Sequence, residues 1–289
     1  RACAGEQGSR GAGERTKIPS SFPSAPLPLC SIKRLKLVRN AGLGLEESRA
    51  YWEHFRIDIP REQRAVVAFE ERWFGSKSMA RVRSLLLEFS HRFEAYPMSL
   101  AVLKHWRPND PTTRQNICHW HMQLSDPMYR NFTGVFLEQR RLQPNSGIDR
   151  DIVARWVIQQ LESEWSAATT FRMATGLIAA SAAAGLCSEN SGMRSLKYPK
   201  VTDEALAYWL YFLRDLYFEG SLLSNPYFNS VGLFDSFLEQ RLSRLPGLSF
   251  TRMGDLYDFG WHYVDLKSWA MQILSARDYA NEAKWEEQA

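Results

Sequence analysis

Apolar side chains recur along much of this chain at the spacing of an amphipathic helix. Between residues 79 and 93, for example, Val82, Leu85, Leu86 and Phe89 fall on one face of a 3.6-residue repeat. Comparable patterns, separated by Pro, Gly, Asn and Asp, predict helices over 45–55, 61–74, 79–93, 98–106, 112–124, 128–141 and 149–161. The pattern therefore predicts a mainly helical fold whose N-terminal part is a bundle.

The segment after residue 165 departs from this pattern. Ser166 is a predicted N-cap, since its hydroxyl can accept a hydrogen bond from the first turn, and Gly185 stands where a helix commonly ends. Small residues fill most positions between them, which predicts a helix packed closely among its neighbours. A short basic hairpin follows, up to about Val201. Helix, helix and hairpin in this order are typical of a winged helix-turn-helix, a module that most often binds nucleic acid.

A second unit of the same layout follows. Thr202 is the predicted cap of a helix that runs to Phe218, and a further helix is predicted over 236–245. Residues 248–252 and 256–261 then predict a β-hairpin, and a last helix is expected from about 265 to 279. The two units share their layout and little residue identity.

The chain is thus expected to be mainly α, with a helical N-terminal bundle followed by two winged helix-turn-helix-like units that carry short β-hairpins. The predicted divisions are a disordered tail, the helical N-terminal domain, a first winged-helix-like unit, and a second with the C-terminal helix, at 1–31, 32–147, 148–201 and 202–289. The tail is rich in Gly, Ser, Pro and Arg and has too few apolar residues to order itself.

The formal net charge of +4 is unevenly distributed. Residues 1–50 contain nine Lys and Arg against four Glu, whereas residues 51–289 contain 27 Lys and Arg against 28 Asp and Glu. The part predicted to fold is therefore close to neutral. Binding to DNA would need a local basic patch, because no general excess of positive charge is available.

Cysteine usage and hydropathy favour a cytoplasmic protein. The four cysteines show no close pairing, which is typical of reduced thiols. The most apolar run, residues 173–187, is shorter than the roughly 20 residues that a membrane span requires, and Ala dominates it. We expect a buried helix there and no contact with a membrane.

Three basic groups are candidates for contact with duplex DNA. The first joins the start of the 166–185 helix to the basic hairpin, the second lies on the 236–245 helix, where Glu239 would oppose phosphate, and the third opens the 79–93 helix. The candidate DNA-binding residues are Arg81, Arg83, Thr169, Thr170, Arg172, Arg194, Lys197, Lys200, Arg241 and Arg244. Ordinary solvated helix faces and surface loops would account for the same residues.

Evidence for catalysis or metal binding is thin. The chain has no Walker loop and no GxSxG, GxGxxG or HExxH motif. Cys118, His119 and His121 form a metal-like cluster, but no matching Cys or His pair follows at zinc-site spacing, so a packed aromatic helix is favoured. Asp255 and Asp258 could recruit a metal, although hairpin-turn chemistry explains Asp255. We expect a non-enzymatic protein without metal or cofactor.

Four segments carry a family resemblance. In chain order they read SKSMARVRSLLLEFSHRF, WSAATTFRMATGLIAASAAAGL, DEALAYWLYFLRDLYFEGSLL and LPGLSFTRMGDLYDFGW. Their order and character resemble the BrxA family of bacterial BREX phage-exclusion systems, over roughly residues 32–274. The resemblance implies a small, mainly helical, non-enzymatic DNA-binding protein that acts beside a methyltransferase, an ATPase and other defence proteins.

Three functions remain open at this point. The leading one is a DNA-binding accessory protein of a phage-defence system. The second is a scaffold or adaptor that uses its winged helices to hold protein partners. The third is a metal-dependent enzyme built on Cys118, His119 and His121.

Overall fold

The computed structural model describes residues 42–161, 165–218, 220–254 and 256–273, so the predicted tail lies outside the described part. The helices are α1 Leu45–His54, α2 Arg61–Glu70, α3 Met79–Phe89, α4 Pro97–Trp106, α5 Pro111–Ser125, α6 Pro127–Asn131, α7 Leu137–Arg141, α8 Arg150–Gln160, α9 Ala167–Ala183, α10 Asp203–Arg214, α11 Pro226–Asn229 and α12 Asp235–Leu242. Two π-helical segments, Ser90–Glu94 and Phe132–Phe136, continue α3 and join α6 to α7. Residues 266–273 are also helical.

Side-chain caps set the start of several helices. The predicted caps Ser166 and Thr202 are confirmed, because each accepts a hydrogen bond from the backbone N–H three residues later. Asp149, the predicted first residue of a helix, is the cap of α8 and accepts in the same way from Ile152. The predicted start at 112 is too late: Asp110 is the cap of α5, and its carboxylate accepts from both the backbone N–H and the hydroxyl of Thr113, at 2.6 and 2.8 Å.

The second predicted hairpin is confirmed. Strands β1 (Leu248–Met253) and β2 (Leu256–Trp261) pair antiparallel, with Phe250 opposite Phe259 and Met253 opposite Leu256. Gly254 has a φ of 62° in the turn, which a residue without Cβ adopts at little cost.

The first predicted hairpin is only partly correct. In place of a regular ladder, the structure has two isolated antiparallel bridges, from Ile148 to Arg194 and from Cys187 to Leu196. Arg194 and Leu196 therefore pair with segments on opposite sides. Arg194 and Leu196 lie at the centre of a minimal three-segment arrangement, because the chain before α8 takes one of the two pairing edges.

Helix α5 lies at the centre of the molecule. Its residues from Ile117 to Leu124 are all buried, so no face of these two turns meets solvent. A helix buried all round must pack against other elements on every side. Helices α1, α6 and α10 and the π-helical segment after α3 all pack against it.

Helix α10 joins the C-terminal half to this centre. All of its residues from Ala205 to Leu213 are buried. The rings of Trp120 on α5 and Trp209 on α10 stack with their centroids 5.4 Å apart, and the indole N–H of Trp120 donates to the carbonyl of Tyr227 at 3.1 Å. The buried side chains form one continuous core that extends from Leu43 to Ala270. The predicted units therefore share a single core.

Truncation of Trp120 tests the central role of this contact. We expect Trp120→Ala to lower the free energy of unfolding by about 3–5 kcal/mol, because it removes a buried ring and leaves a cavity in the core. Chemical denaturation monitored by circular dichroism measures the change. Tyr217→Ala, which removes an aromatic ring that is 81% exposed, is the matched control and should cost far less. Equal losses for the two variants would contradict this assignment.

Candidate nucleic-acid interface

The first turns of α9 present one strong candidate contact. Arg172 is exposed, and its guanidinium donates to the hydroxyl of Thr169 at 3.3 Å. Thr169 in turn lies 2.9 Å from the hydroxyl of the cap Ser166. The structure corrects the prediction that Thr170 contacts DNA. This residue is only 3% exposed, because it faces the core side of α9, so it is not available to a duplex.

The basic segment after α9 is held in place by its backbone. Arg194 and Ile148 exchange two backbone hydrogen bonds of 3.0 and 2.7 Å, and the N–H of Lys197 donates to the carbonyl of Leu186 at 3.0 Å. The guanidinium of Arg194 also donates to the carbonyl of Ser188 at 2.9 Å, so part of its hydrogen-bonding capacity stabilises the loop. Lys197 and Lys200 are exposed.

Sequence reasoning missed Arg150 and Phe171, which link these two pieces. The guanidinium carbon of Arg150 lies 4.9 Å from the centroid of the Phe171 ring, and both side chains are exposed. Arg150 lies two residues after the Ile148 bridge, and Phe171 immediately precedes Arg172. The contact joins residues on different helices, so no local pattern in the sequence could have indicated it.

The candidate DNA-binding residues differ in whether they form ion pairs. Within the described residues, no carboxylate lies in ion-pair range of Arg172, Lys197 or Lys200, nor of Arg150. Arg241, by contrast, is paired with Asp203 at 2.5 Å and also donates to the carbonyl of Val201 at 3.1 Å. Contact with phosphate would have to compete with both interactions. We therefore assign Arg241 a structural role and leave it out of the candidate contact surface.

A groove of about 630 Å³ lies between the start of α5, residues 199–204 and α12. Lys200 and Arg241 both line it, but so do Asp110, Asp203 and Glu204. Carboxylates at this density repel phosphate, so the groove is not a phosphate cradle. Lys200 can therefore contact a nucleic acid only at the outer rim of this groove.

The remaining basic candidates lie elsewhere. Arg81 and Arg83 are on α3, which packs against α1 and α2 in the N-terminal bundle, and the backbone N–H of Arg81 is already capped by Ser78 at 3.3 Å. Arg83 is exposed, as is Arg244 just after α12. They remain candidates for secondary contacts.

The histidines of the predicted metal-like cluster on α5, His119 and His121, form hydrogen bonds with different side chains. The two ring nitrogens of His119 lie 2.9 Å from the hydroxyls of Tyr129 and Ser230. His121 instead lies 2.6 Å from the hydroxyl of Tyr208. Among the described residues, no three His, Cys, Asp or Glu side chains converge in a way that could hold a metal ion. Asp255 lies outside the described residues.

Burial controls the protonation of this cluster. It lowers the pKa of both His119 and His121 to about 3, because a charged imidazolium would lose its hydration, and nearby arginines add repulsion. Burial likewise raises the pKa of the Cys118 thiol to about 11. Neutral histidines and a protonated thiol fit a packed core rather than a reactive site.

None of the helices within the described ranges combines the length and apolar character needed to cross a membrane. Comparison of the chain with known protein families, with curated proteins and with solved structures gave no match.

The buried histidines predict a pH dependence of stability. In the unfolded chain His119 and His121 take up protons as the pH falls through about 6.5, whereas in the folded protein they stay neutral down to about pH 3. Their contribution is thus complete above pH 6.5 and is lost progressively below it, by up to about 1.4 kcal/mol per pH unit for each residue. Urea denaturation at pH 7.5, 5.5 and 4.5 measures the slope. Replacing His119 with Gln should reduce the slope, and an unchanged slope would contradict the prediction.

Proposed function

We propose that this chain is a non-enzymatic protein that binds duplex DNA through a local basic surface. We define that surface, called here the α9 surface, by Arg150, Arg172, Arg194, Lys197 and Lys200. The observation that carries the proposal is that its exposed cations have no carboxylate partner among the described residues, in a protein that is otherwise close to neutral. Unpaired cations of this kind can release the counterions of a phosphate backbone, which is the main source of affinity for DNA.

The arrangement around α9 supports a winged-helix interpretation. A bridge at Ile148, the helices α8 and α9, and a bridge from Cys187 to Leu196 follow one another in the order of that module. Ser166 caps α9, and its first turns would approach the major groove, where recognition helices make their contacts. Residues 188–197 would be the wing, which reaches the neighbouring phosphates. The second unit repeats the order with α10, α12 and the β1–β2 hairpin.

The family resemblance supplies a biological setting. We place the protein in the cytoplasm, as an accessory component of a BREX-like phage-defence system that acts beside a methyltransferase and an ATPase. In this role its task is to hold DNA, and the chemistry is left to its partners. The buried, neutral state of His119 and His121 supports a protein without a reactive centre of its own.

The salt dependence of binding tests this proposal. Four phosphate contacts, from Arg172, Arg194, Lys197 and Lys200, predict that log K falls with log salt concentration with a slope of about −3.6. Fluorescence anisotropy with a labelled duplex, at several salt concentrations from 50 to 200 mM, measures it. Each replacement of Arg172 or Lys200 by Ala should make the slope shallower by about 0.9.

Lys267→Ala is the matched control, since Lys267 is exposed but lies far along the chain from the α9 surface. It should leave both affinity and slope unchanged. Absence of binding at 50 mM salt, or an equal effect of Lys267→Ala, would refute the proposed surface.

A scaffold or adaptor function is the second candidate, and one observation favours it. At the tip of the β1–β2 hairpin, Met253 and Leu256 lie opposite each other and are each 74% exposed, and Tyr257 beside them is 48% exposed. Hairpin turns are usually polar, so large apolar side chains there are suited to a protein partner. Glu239, which pairs with Arg252 on this hairpin, makes the tip a poor phosphate site.

Replacement of Met253 and Leu256 by Ser separates the two functions. For a scaffold, we expect the double variant to lose at least tenfold affinity for the purified methyltransferase or ATPase partner, while its DNA affinity stays unchanged. Isothermal titration calorimetry measures the first quantity and anisotropy the second. Unchanged partner binding by the folded variant would exclude the hairpin tip as the docking element, and Arg172→Ala should leave partner binding intact in either case.

A further inference from the structure

Two adjacent arginines end α7, and both are engaged by backbone carbonyls of the α9 surface and its entry. Arg140 donates to the carbonyls of Asn145 and Gly147, at 2.6 and 2.7 Å, and so fixes the loop that leads into α8. Arg141 donates to the carbonyl of Lys197 at 2.9 Å. The end of α7 therefore binds the chain at two places. One is the loop immediately before α8, and the other is Lys197 in the basic segment after α9.

Arg141 is itself withdrawn from solvent. Its side chain is only 11% exposed. The guanidinium carbon lies 4.1 Å from the centroid of the Tyr198 ring, and the guanidinium also forms an ion pair with Glu138. The ring face and both terminal nitrogens of this guanidinium are therefore occupied, and its Nε is buried away from solvent. Arg141 has little capacity left for a phosphate, although its neighbour Lys197 is exposed.

Tyr198 completes a closed set of contacts. Its hydroxyl donates to Glu138 at 2.7 Å, which is the same carboxylate that Arg141 binds. Gly232 approaches so closely that a Cβ there would lie 2.7 Å from the Tyr198 ring, and the φ of Gly232 is +75°. The ring of Phe234 meets Tyr198 edge-on, with centroids 6.2 Å apart. The wing end is thus held between α7 and the chain that leads into α12.

The second unit contains a comparable arginine, which makes a useful reference. The guanidinium carbon of Arg214 lies 4.8 Å from the centroid of the Trp261 ring, and the group donates to the carbonyls of Tyr263 and Val264. Arg214 and Arg141 both fix a segment by stacking on an aromatic ring and binding backbone carbonyls. Only Arg141 does so beside the α9 surface.

We infer that Arg141 is a positioning residue for DNA binding: it holds Lys197 where the lysine meets phosphate, without touching DNA itself. The inference rests on the proposed function. Its physical basis is that residues 188–200 contain isolated bridges and no regular strand. Without Arg141, the Lys197 side chain would sample many positions, and ordering it on the duplex would cost conformational entropy.

The test is a double-mutant cycle read out as a salt slope. We expect Lys197→Ala to weaken binding roughly threefold to tenfold and to make the slope shallower by about 0.9. Arg141→Lys should have nearly the same effect, although it keeps the positive charge, because an ammonium cannot stack, pair and bind the carbonyl together. In the Lys197→Ala background, Arg141→Lys should change neither affinity nor slope further. Arg214→Lys is the matched control, with a similar loss of stability and unchanged DNA binding.

Each outcome has a distinct meaning. Arg141→Ala, combined with Lys197→Ala as one further variant, also removes the positive charge. A further loss of slope in this variant would show direct contact between Arg141 and phosphate, and would overturn the positioning role. Wild-type affinity in a folded Arg141→Lys variant would overturn it as well. If Lys197→Ala leaves binding intact while Arg172→Ala weakens it, the positioning role fails but the proposed function stands. If the wild-type protein does not bind DNA at 50 mM salt, the proposed function fails.

Discussion

The burial of residues 117–124 of α5 on every face is the constraint on which the rest of the structure depends. A helix with polar residues on several faces can be buried only if each polar group finds a partner, since an unpaired buried group costs about 1–3 kcal/mol. His119 meets this demand at both ring nitrogens, through the hydroxyls of Tyr129 and Ser230, and His121 meets it at Nε2, through the hydroxyl of Tyr208. Two of these three bonds, to Ser230 and Tyr208, reach residues far away in the chain, so the helix fixes the path of distant segments.

This constraint reaches the proposed DNA-binding surface directly. Gln115 donates to the carbonyl of Ala183 at 2.6 Å, and so holds the C-terminal end of α9. Its neighbour Asn116 donates to the carbonyl of Lys200 and accepts from the backbone N–H of Thr202. The end of α9 and the end of the basic segment that follows it are thus both fixed by consecutive residues of α5. These bonds add to the backbone bridges and the Arg141 contact in positioning a segment that has little regular structure.

Which arginines and lysines are paired with carboxylates matters more in this protein than its net charge. Arg241 and Arg141 are bound to carboxylates and carbonyls and so act within the fold. Arg172 and Lys197 have no carboxylate partner among the described residues and are exposed. A near-neutral protein can therefore present a cationic surface, because its acidic groups are placed against other arginines.

The sequence by itself determined the local features: the helical periodicity, the caps at Ser166 and Thr202, and the β1–β2 hairpin. These depend on residues within a few positions of one another, so spacing and residue type suffice. The tertiary structure alone decided that Thr170 is buried, that Arg241 pairs with Asp203, and that the first predicted hairpin is replaced by isolated bridges. It also brought Arg150 onto Phe171 and Arg141 onto Tyr198. Burial and ion pairing depend on neighbours supplied by distant parts of the chain, and a periodic pattern contains no information about them.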